Sequence, residues 1–422
     1  EMARPAPARE EDPDAGRRQP LRHLAATFTT QMLAAGGFIF FALIVPELAR
    51  ETGLPERDFG LAVTFIFIGT ALSSPLTGFY TRILGSVGAQ LLALAWMAGA
   101  LLLVLFGTWW TTMLSGFLFG MGYGPLSPLG MTIVTERTPY HNRGLFLSIR
   151  QSSQPLAGVL LGRLLPPFVL AYGWQAGVIS VSASVAAGIL VVALWPGLFR
   201  LRDEAAIRSR SRAPSPGGGS LAGILARFAI PRELRALWLS GVIFAITQVV
   251  MVFFCYIYLL EEIGLSPIAA GIFASNLQLA GLFSRPVSGW ICDRLGRSDV
   301  VLIAIAIVSV IASAALLTVT KDWGAAPLLA VALACGVSGQ AWNAVFTNAM
   351  AELVAPERLA EMNGRAFSFL SLGWMAAAPA CWLLIETFAD YRPIFYTVIA
   401  LNVIVTISLV FGLRRRRQRT MT

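Results

Sequence analysis

Hydrophobic residues run through this chain in blocks of about twenty, separated by short polar turns. A helix of that length crosses a bilayer core of about 30 Å. Twelve blocks can be read, at 24–46, 59–80, 89–107, 111–134, 144–165 and 175–196, then 234–260, 268–289, 299–320, 327–350, 364–385 and 393–413. Inside lipid every backbone polar group must find its partner within the protein, so helices are predicted throughout. Residues 1–23 are polar and Pro-rich and read as a disordered lead-in. No small-residue cleavage signal precedes the first block, so no removable leader is expected there. Residues 200–233 contain Pro214, Pro216 and Gly217-Gly218-Gly219-Ser220, the composition of a flexible linker. The predicted architecture is all-α and membrane-integral, with twelve transmembrane helices in two pseudo-symmetric bundles of six. The bundles cover 24–199 and 234–413, joined by the linker 200–233 and followed by a basic tail, 414–422.

The two halves repeat one another. Gly53-Leu54, Gly60, Ser73, Pro75, Gly78 and Leu84-Gly85 align without a gap on Gly264-Leu265, Gly271, Ser284, Pro286, Gly289 and Leu295-Gly296. The offset is 211 residues, half of the 422-residue chain. Fainter matches pair Gly120 and Glu136 with Gly336 and Glu352, and Gly144 and Ser148 with Gly364 and Ser368. A hydrophobic plan used twice points to two bundles facing each other across a shared axis.

Composition and charge narrow the class. The chain is 56% hydrophobic and 13% charged, with mean hydropathy +0.69, which excludes an ordinary soluble domain. If both ends lie inside, the cytoplasmic segments hold 25 arginines, whereas the opposite face holds Arg50, Arg57, Lys321 and Arg392. That asymmetry puts both termini in the cytoplasm and accounts for the net charge of +9. The run Arg414 to Arg417 reads as an anchor on anionic lipid, not as a nucleic-acid contact. Cys255, Cys292, Cys335 and Cys381 have no metal-ligand spacing and read as small apolar fillers. The Gly triplet of the linker lacks the Lys-Ser/Thr of a phosphate loop, and no Gly-x-Ser-x-Gly elbow or His-rich cluster occurs. Neither an enzyme nor a cofactor or metal site is expected.

Polar side chains inside spans are costly and usually functional. Arg150 and Arg163 fall in span 5 and Arg285 in span 8. A centred arginine costs about 2.5–3.5 kcal/mol on insertion scales. Arg163, beside Pro166-Pro167, is expected to snorkel to the outer surface. Arg150 lies about 9 Å into its helix at 1.5 Å per residue, with Gln154 on the same face and Gln151 adjacent. Gln278 shares a face with Arg285. The carboxylates Glu47, Glu136, Glu261, Glu262, Glu352 and Glu386 all sit near span ends. Buried cations without buried anions favour an anionic ligand held by guanidinium forks. Gly116, Gly120 and Gly124, and likewise Gly158 and Gly162, recur every four residues, a pattern of close helix packing.

The sequence Gly289-Trp-Ile-Cys-Asp293-Arg294-Leu-Gly296-Arg297 resembles the signature loop of the major facilitator superfamily, Gly-x-x-x-Asp-Arg-x-Gly-Arg. The first half keeps Gly78 and Gly85 but replaces the Asp and both Arg with Arg82, Ile83 and Ser86. The resemblance implies a secondary transporter working by alternating access. It implies that spans 5 and 8 face one another, so that Arg150 and Arg285 can converge on one anion. It also implies that spans 1, 4, 7 and 10 line the path, which nominates Gln31, Tyr123, Gln248, Tyr256, Gln340, Trp342 and Asn343, with Trp374 on span 11. Asp293 would latch the inner side shut against the start of span 5, around Arg143-Gly144, with the helix N-terminus as its partner. Gly289 and Gly296 would allow the turn, and Arg294 and Arg297 complete the gate.

Arg285-Pro286-x-x-Gly289 further resembles the end of span 8 in monocarboxylate carriers, although Gly281 stands where those carriers place an acid. The expected substrate is therefore a small monocarboxylate-like anion. A proton is expected to accompany it, carried by the substrate itself or by Glu261 or Glu262 at the outer mouth. The expected setting is the inner (plasma) membrane, with lipid and substrate as partners and a monomer as the working unit. The rivals are an exporter of amphipathic drugs and a non-transporting membrane receptor.

Overall fold

The computed structural model describes residues 15–53, 61–137, 143–194, 234–354 and 356–420. No strand occurs among them. The linker at 200–233 lies outside the described residues.

In chain order the helices group into twelve spans. α1 is Ala15–Thr52. α2 starts with Ala62–Ser73 and continues through a tight turn, Ser74–Leu76, into Thr77–Leu102. That last helix is interrupted at Gly85, where α2 ends and α3 begins. α4 is Trp109–Arg137. α5 comprises Arg143–Gln151 and Ser153–Tyr172, and α6 is Trp174–Leu194. In the second half α7 runs from Arg235–Val249 through a π-helical turn, Val250–Phe254, into Cys255–Glu261. α8 is Pro267–Leu295 and α9 Ser298–Leu316. α10 comprises Ala325–Gln340 and Trp342–Leu353, α11 is Pro356–Phe388 and α12 Arg392–Thr420. Nine helices among the described residues are long and apolar enough to cross a membrane.

Two boundaries differ from expectation. α1 begins at Ala15, inside the segment read as disordered, and runs through Pro20. α12 carries its helix through the basic tail to Thr420.

The packing repeats like the sequence. α2 packs on α4, α3 on α6 and α1 on α5; six spans later α8 packs on α10, α9 on α12 and α7 on α11. Across the axis α5 meets α8 and α2 meets α11, a pair exchanged by the same shift. Single residues obey it too. Gly120 lies so close to the Ile66 carbonyl that a Cβ would overlap it, and Gly336 meets the Leu277 carbonyl in the same way. Ile66 and Leu277 are themselves 211 residues apart. The repeat glycines Gly53 and Gly264 have φ of 70° and 76°, and Gly85 and Gly296 have 73° and 58°. Only glycine adopts that region cheaply, so each half turns at the same two places.

Candidate functional site

Arg150 is 1% exposed. Its Nη2 donates to Gln31 Oε1 of α1 at 2.8 Å and reaches the Leu126 carbonyl of α4 at 3.5 Å. The guanidinium lies flat over Gly130 of α4, where a Cβ would come within 2.6 Å of both Cζ and Nε. Its Nε and Nη1 are buried without a partner. Arg285 enters from α8. Its Nη1 donates at 3.0 Å to the carbonyl of Gln151, and its Nη2 at 3.2 Å to Gln340 Oε1 of α10. The Gln151 carbonyl is free because Pro155, four residues on, has no N–H to offer it. Arg285 Nε is also buried and unpaired. Neither arginine has a carboxylate within salt-bridge reach among the described residues.

Amides and glycines complete the frame. Tyr123 Oη accepts from Gln31 Nε2 at 3.4 Å and from Gln154 Nε2 at 3.1 Å. Gln340 Nε2 donates to Gln278 Oε1. Gly158 leaves the space that the Gln278 side chain fills, and Gly281 the space filled by Gln340. The position where an acid was missing therefore admits a neutral amide that accepts from Arg285. Two hydrogen-bonded groups result, Arg150 with Gln31, Tyr123 and Gln154 in the first bundle and Arg285 with Gln340 and Gln278 in the second, and the Arg285 bond to the Gln151 carbonyl, next in the chain to Arg150, brings them side by side. Three helix irregularities surround them: the break in α5 after Gln151, the break in α10 after Gln340 and the π-helical turn of α7. Such turns are often found at functional sites.

The remaining predicted residues lie further along the axis. Trp374 Nε1 donates to Gln248 Oε1 at 3.3 Å. Tyr256 is buried and lines a small cavity with Gly158, Gly162, Met251, Cys255 and Gln278. Asn343 is half-buried, one turn beyond Gln340. Trp342 is fully buried in the second bundle against Phe244 and Phe346, a packing residue.

Glu261 and Glu262 lie at the end of α7, away from this network. Glu261 faces Arg50 of α1 at 3.5 Å, and Glu262 faces Arg392 of α12 at 3.7 Å. Arg163 bridges the bundles: its Nε donates to Ser275 Oγ and its Nη2 to Asn276 Oδ1 of α8, each at 3.2 Å. It is exposed as expected, but it ties α5 to α8 and does more than snorkel. Below it Gly162 packs directly on Gly271.

At the other end of α8, Gly296 caps the helix, with its N–H on the Cys292 carbonyl at 2.8 Å. Gly289 sits inside the helix and takes no part in the turn, a correction to the expectation. Arg294 lies over the Trp290 ring at 4.9 Å, and Arg297 faces Asp299 at 3.6 Å, so both make local contacts. The side chains of Asp293, Arg143 and Gly144's neighbours at the start of α5 lie outside the described ones. Sequence reasoning missed Gly130 and the rings Phe38, Phe67 and Phe253; in a chain so rich in Gly and Phe, nothing in their spacing set them apart.

The Major Facilitator Superfamily profile matches residues 27–341 and, in a second overlapping match, 237–421. The chain belongs to that superfamily. A gallate transporter of Pseudomonas putida is 26% identical over 63% of this chain and 64% of its own length. An uncharacterised MFS-type transporter of Mycobacterium tuberculosis is 28% identical over 63% of this chain and 57% of its own. The chain thus spans less than two thirds of the length of these relatives. Among solved structures, a bacterial homologue of the lysosomal transporter Spinster in an inward-facing, occupied conformation superposes with TM-score 0.69. It covers 96% of this chain and 98% of its own at 14% identity, a likeness of fold.

Proposed function

We propose that this superfamily member is a secondary transporter that carries a small organic anion, monocarboxylate-like, by alternating access. The observation that carries the reading is the pair Arg150 and Arg285, one from each bundle, Arg150 buried and Arg285 half-buried, each with unpaired buried N–H groups and neither with a carboxylate in salt-bridge reach among the described residues. An uncompensated buried charge is strongly unfavourable, so the site is arranged to be completed by a ligand of opposite sign. Placing the two cations on opposite bundles lets one anion draw the halves together. The gallate named for the Pseudomonas putida relative is itself a carboxylate.

Proton coupling fits this scheme at the outer mouth. Arg50–Glu261 is the one ion pair between the bundles among the described residues. A proton on Glu261 would cancel that pair and release the outer ends, linking protonation to opening. In this reading the working protein is a monomer in the plasma membrane, and the arginine asymmetry supports cytoplasmic termini.

The test is ligand-induced thermal stabilisation of the purified protein, with small carboxylates run beside lipophilic cations. A ligand at ten times its dissociation constant adds about 1.4 kcal/mol of stability. Carboxylates should stabilise the wild type and not Arg150→Gln/Arg285→Gln. Cations that stabilise both proteins equally would make the arginines structural and the protein a drug exporter. Binding without uptake into proteoliposomes would make it a receptor.

A further inference from the structure

Aromatic rings cluster where the two bundles meet, and four of them are only half-buried. Phe38 of α1 stacks on Tyr123 at 5.5 Å with 14° between planes, and meets Phe67 of α2 and Phe253 of α7 edge-on at 5.5 and 4.9 Å. Phe67 lies parallel to Trp374 of α11, at 6.3 Å and 9°. Phe253 is 2% exposed, as a packed ring should be. Phe38, Phe67, Tyr123 and Trp374 are only half-buried, although each packs against the main hydrophobic cluster and against another ring. That partial exposure leaves ring surface uncovered by the protein.

What these rings can offer a ligand is restricted. The Trp374 N–H is already given to Gln248, and the Tyr123 oxygen already accepts from two glutamines. What remains for contact is apolar aromatic ring surface. Tyr123 joins that surface to the cationic end, since Gln31 bonds both its hydroxyl and Arg150. A ligand fitting both parts carries a negative group at one end and a flat, electron-rich body at the other. Ring pairs gain from offset and edge-to-face geometry beyond the area they bury, which a saturated ring of equal size cannot do.

We propose that the substrate is an aromatic carboxylate, its carboxylate between Arg150 and Arg285 and its ring against Phe38, Phe67 and Trp374. This rests on the anion reading above. Phe67 and Trp374 belong to opposite bundles, so any motion that parts α2 from α11 also opens the ring slot. Substrate release and bundle separation are then one movement.

The experiment measures dissociation constants of benzoate, the hydroxybenzoates and cyclohexanecarboxylate for the full-length protein in detergent. The wild type, Phe67→Leu, Trp374→Leu and Arg150→Gln/Arg285→Gln are compared. The aromatic acids should bind about two- to twelvefold more tightly than cyclohexanecarboxylate. That ratio should fall toward one in either ring variant; if one variant does not fold, the other and the wild-type ratio still decide. Equal binding of aromatic and saturated acids to the wild type, lost in the double arginine variant, overturns the aromatic class and leaves the anion reading standing. No binding of any acid, or binding that survives loss of both arginines, overturns both.

Discussion

A residue that holds nothing itself can decide whether a charge is usable. Gly130 contributes no functional group, yet the Arg150 guanidinium rests on the surface its missing side chain exposes. Gly130→Ala puts a methyl where Cζ and Nε now lie, and Arg150 must leave its bond to Gln31. The variant should fold, since the atoms a Cβ would meet are the far end of a long side chain that can change rotamer. It should lose the stabilisation of about 1.4 kcal/mol that a carboxylate gives at ten times its dissociation constant. Wild-type carboxylate binding by Gly130→Ala would mean that Gly130 does not position Arg150. The arginines themselves could be read from the sequence, because a cation inside an apolar block is expensive and has to be explained. Gln31, Gln154 and Gln278 could be read on weaker grounds, as polar groups in spans. Gly130, Phe38 and Phe67 could not, because an apolar chain with 39 glycines and 26 phenylalanines uses both types mainly for packing.

Helices in lipid associate through close contact, since burial against a neighbour gains little over burial in hydrocarbon. The contacts of Gly120 on the Ile66 carbonyl and Gly336 on the Leu277 carbonyl are this kind of contact, made once in each bundle. Overpacking such a seam costs about 1–3 kcal/mol. Gly120→Val and Gly336→Val should each lower the melting temperature of the purified protein, by similar amounts because the seams are equivalent. A large loss in one and none in the other would break the equivalence of α2–α4 and α8–α10. The elements themselves were predictable, since lipid allows little besides helices and the blocks have the right length. Their interruptions were harder to foresee. Pro155 signals that the Gln151 carbonyl lacks its helical partner, but only the fold brings Arg285 to that carbonyl. Ala341 and the turn Val250–Phe254 carry no such mark in the sequence.

For the whole molecule the decisive property is that the two bundles are tied at more than one level, so a change at one end must be felt at the other. The described cross-ties toward one end, the outer one in the proposed orientation, are Arg50–Glu261, Arg163 with Ser275 and Asn276, and the contact of Gly162 with Gly271. The signature loop places Asp293 at the opposite end. The latch proposed for Asp293 would oppose those ties, so removing either shifts the population toward opening on its own side. Glu261→Gln should therefore favour the outward-open state, and Asp293→Asn the inward-open state. The Arg50–Glu261 pair is partly solvent-exposed, and such pairs are worth about 0.2–1 kcal/mol, which changes a two-state ratio by roughly 1.4- to fivefold. Salt should erode the Glu261 effect, since exposed charges are screened within about 10 Å at 0.1 M. Single cysteines placed at each mouth, labelled from one side at a time in vesicles, read both shifts. Labelling that both substitutions move in the same direction would mean the ends are not antagonists. Labelling that neither moves would mean that the helix contacts alone, and not the charges, set the resting state.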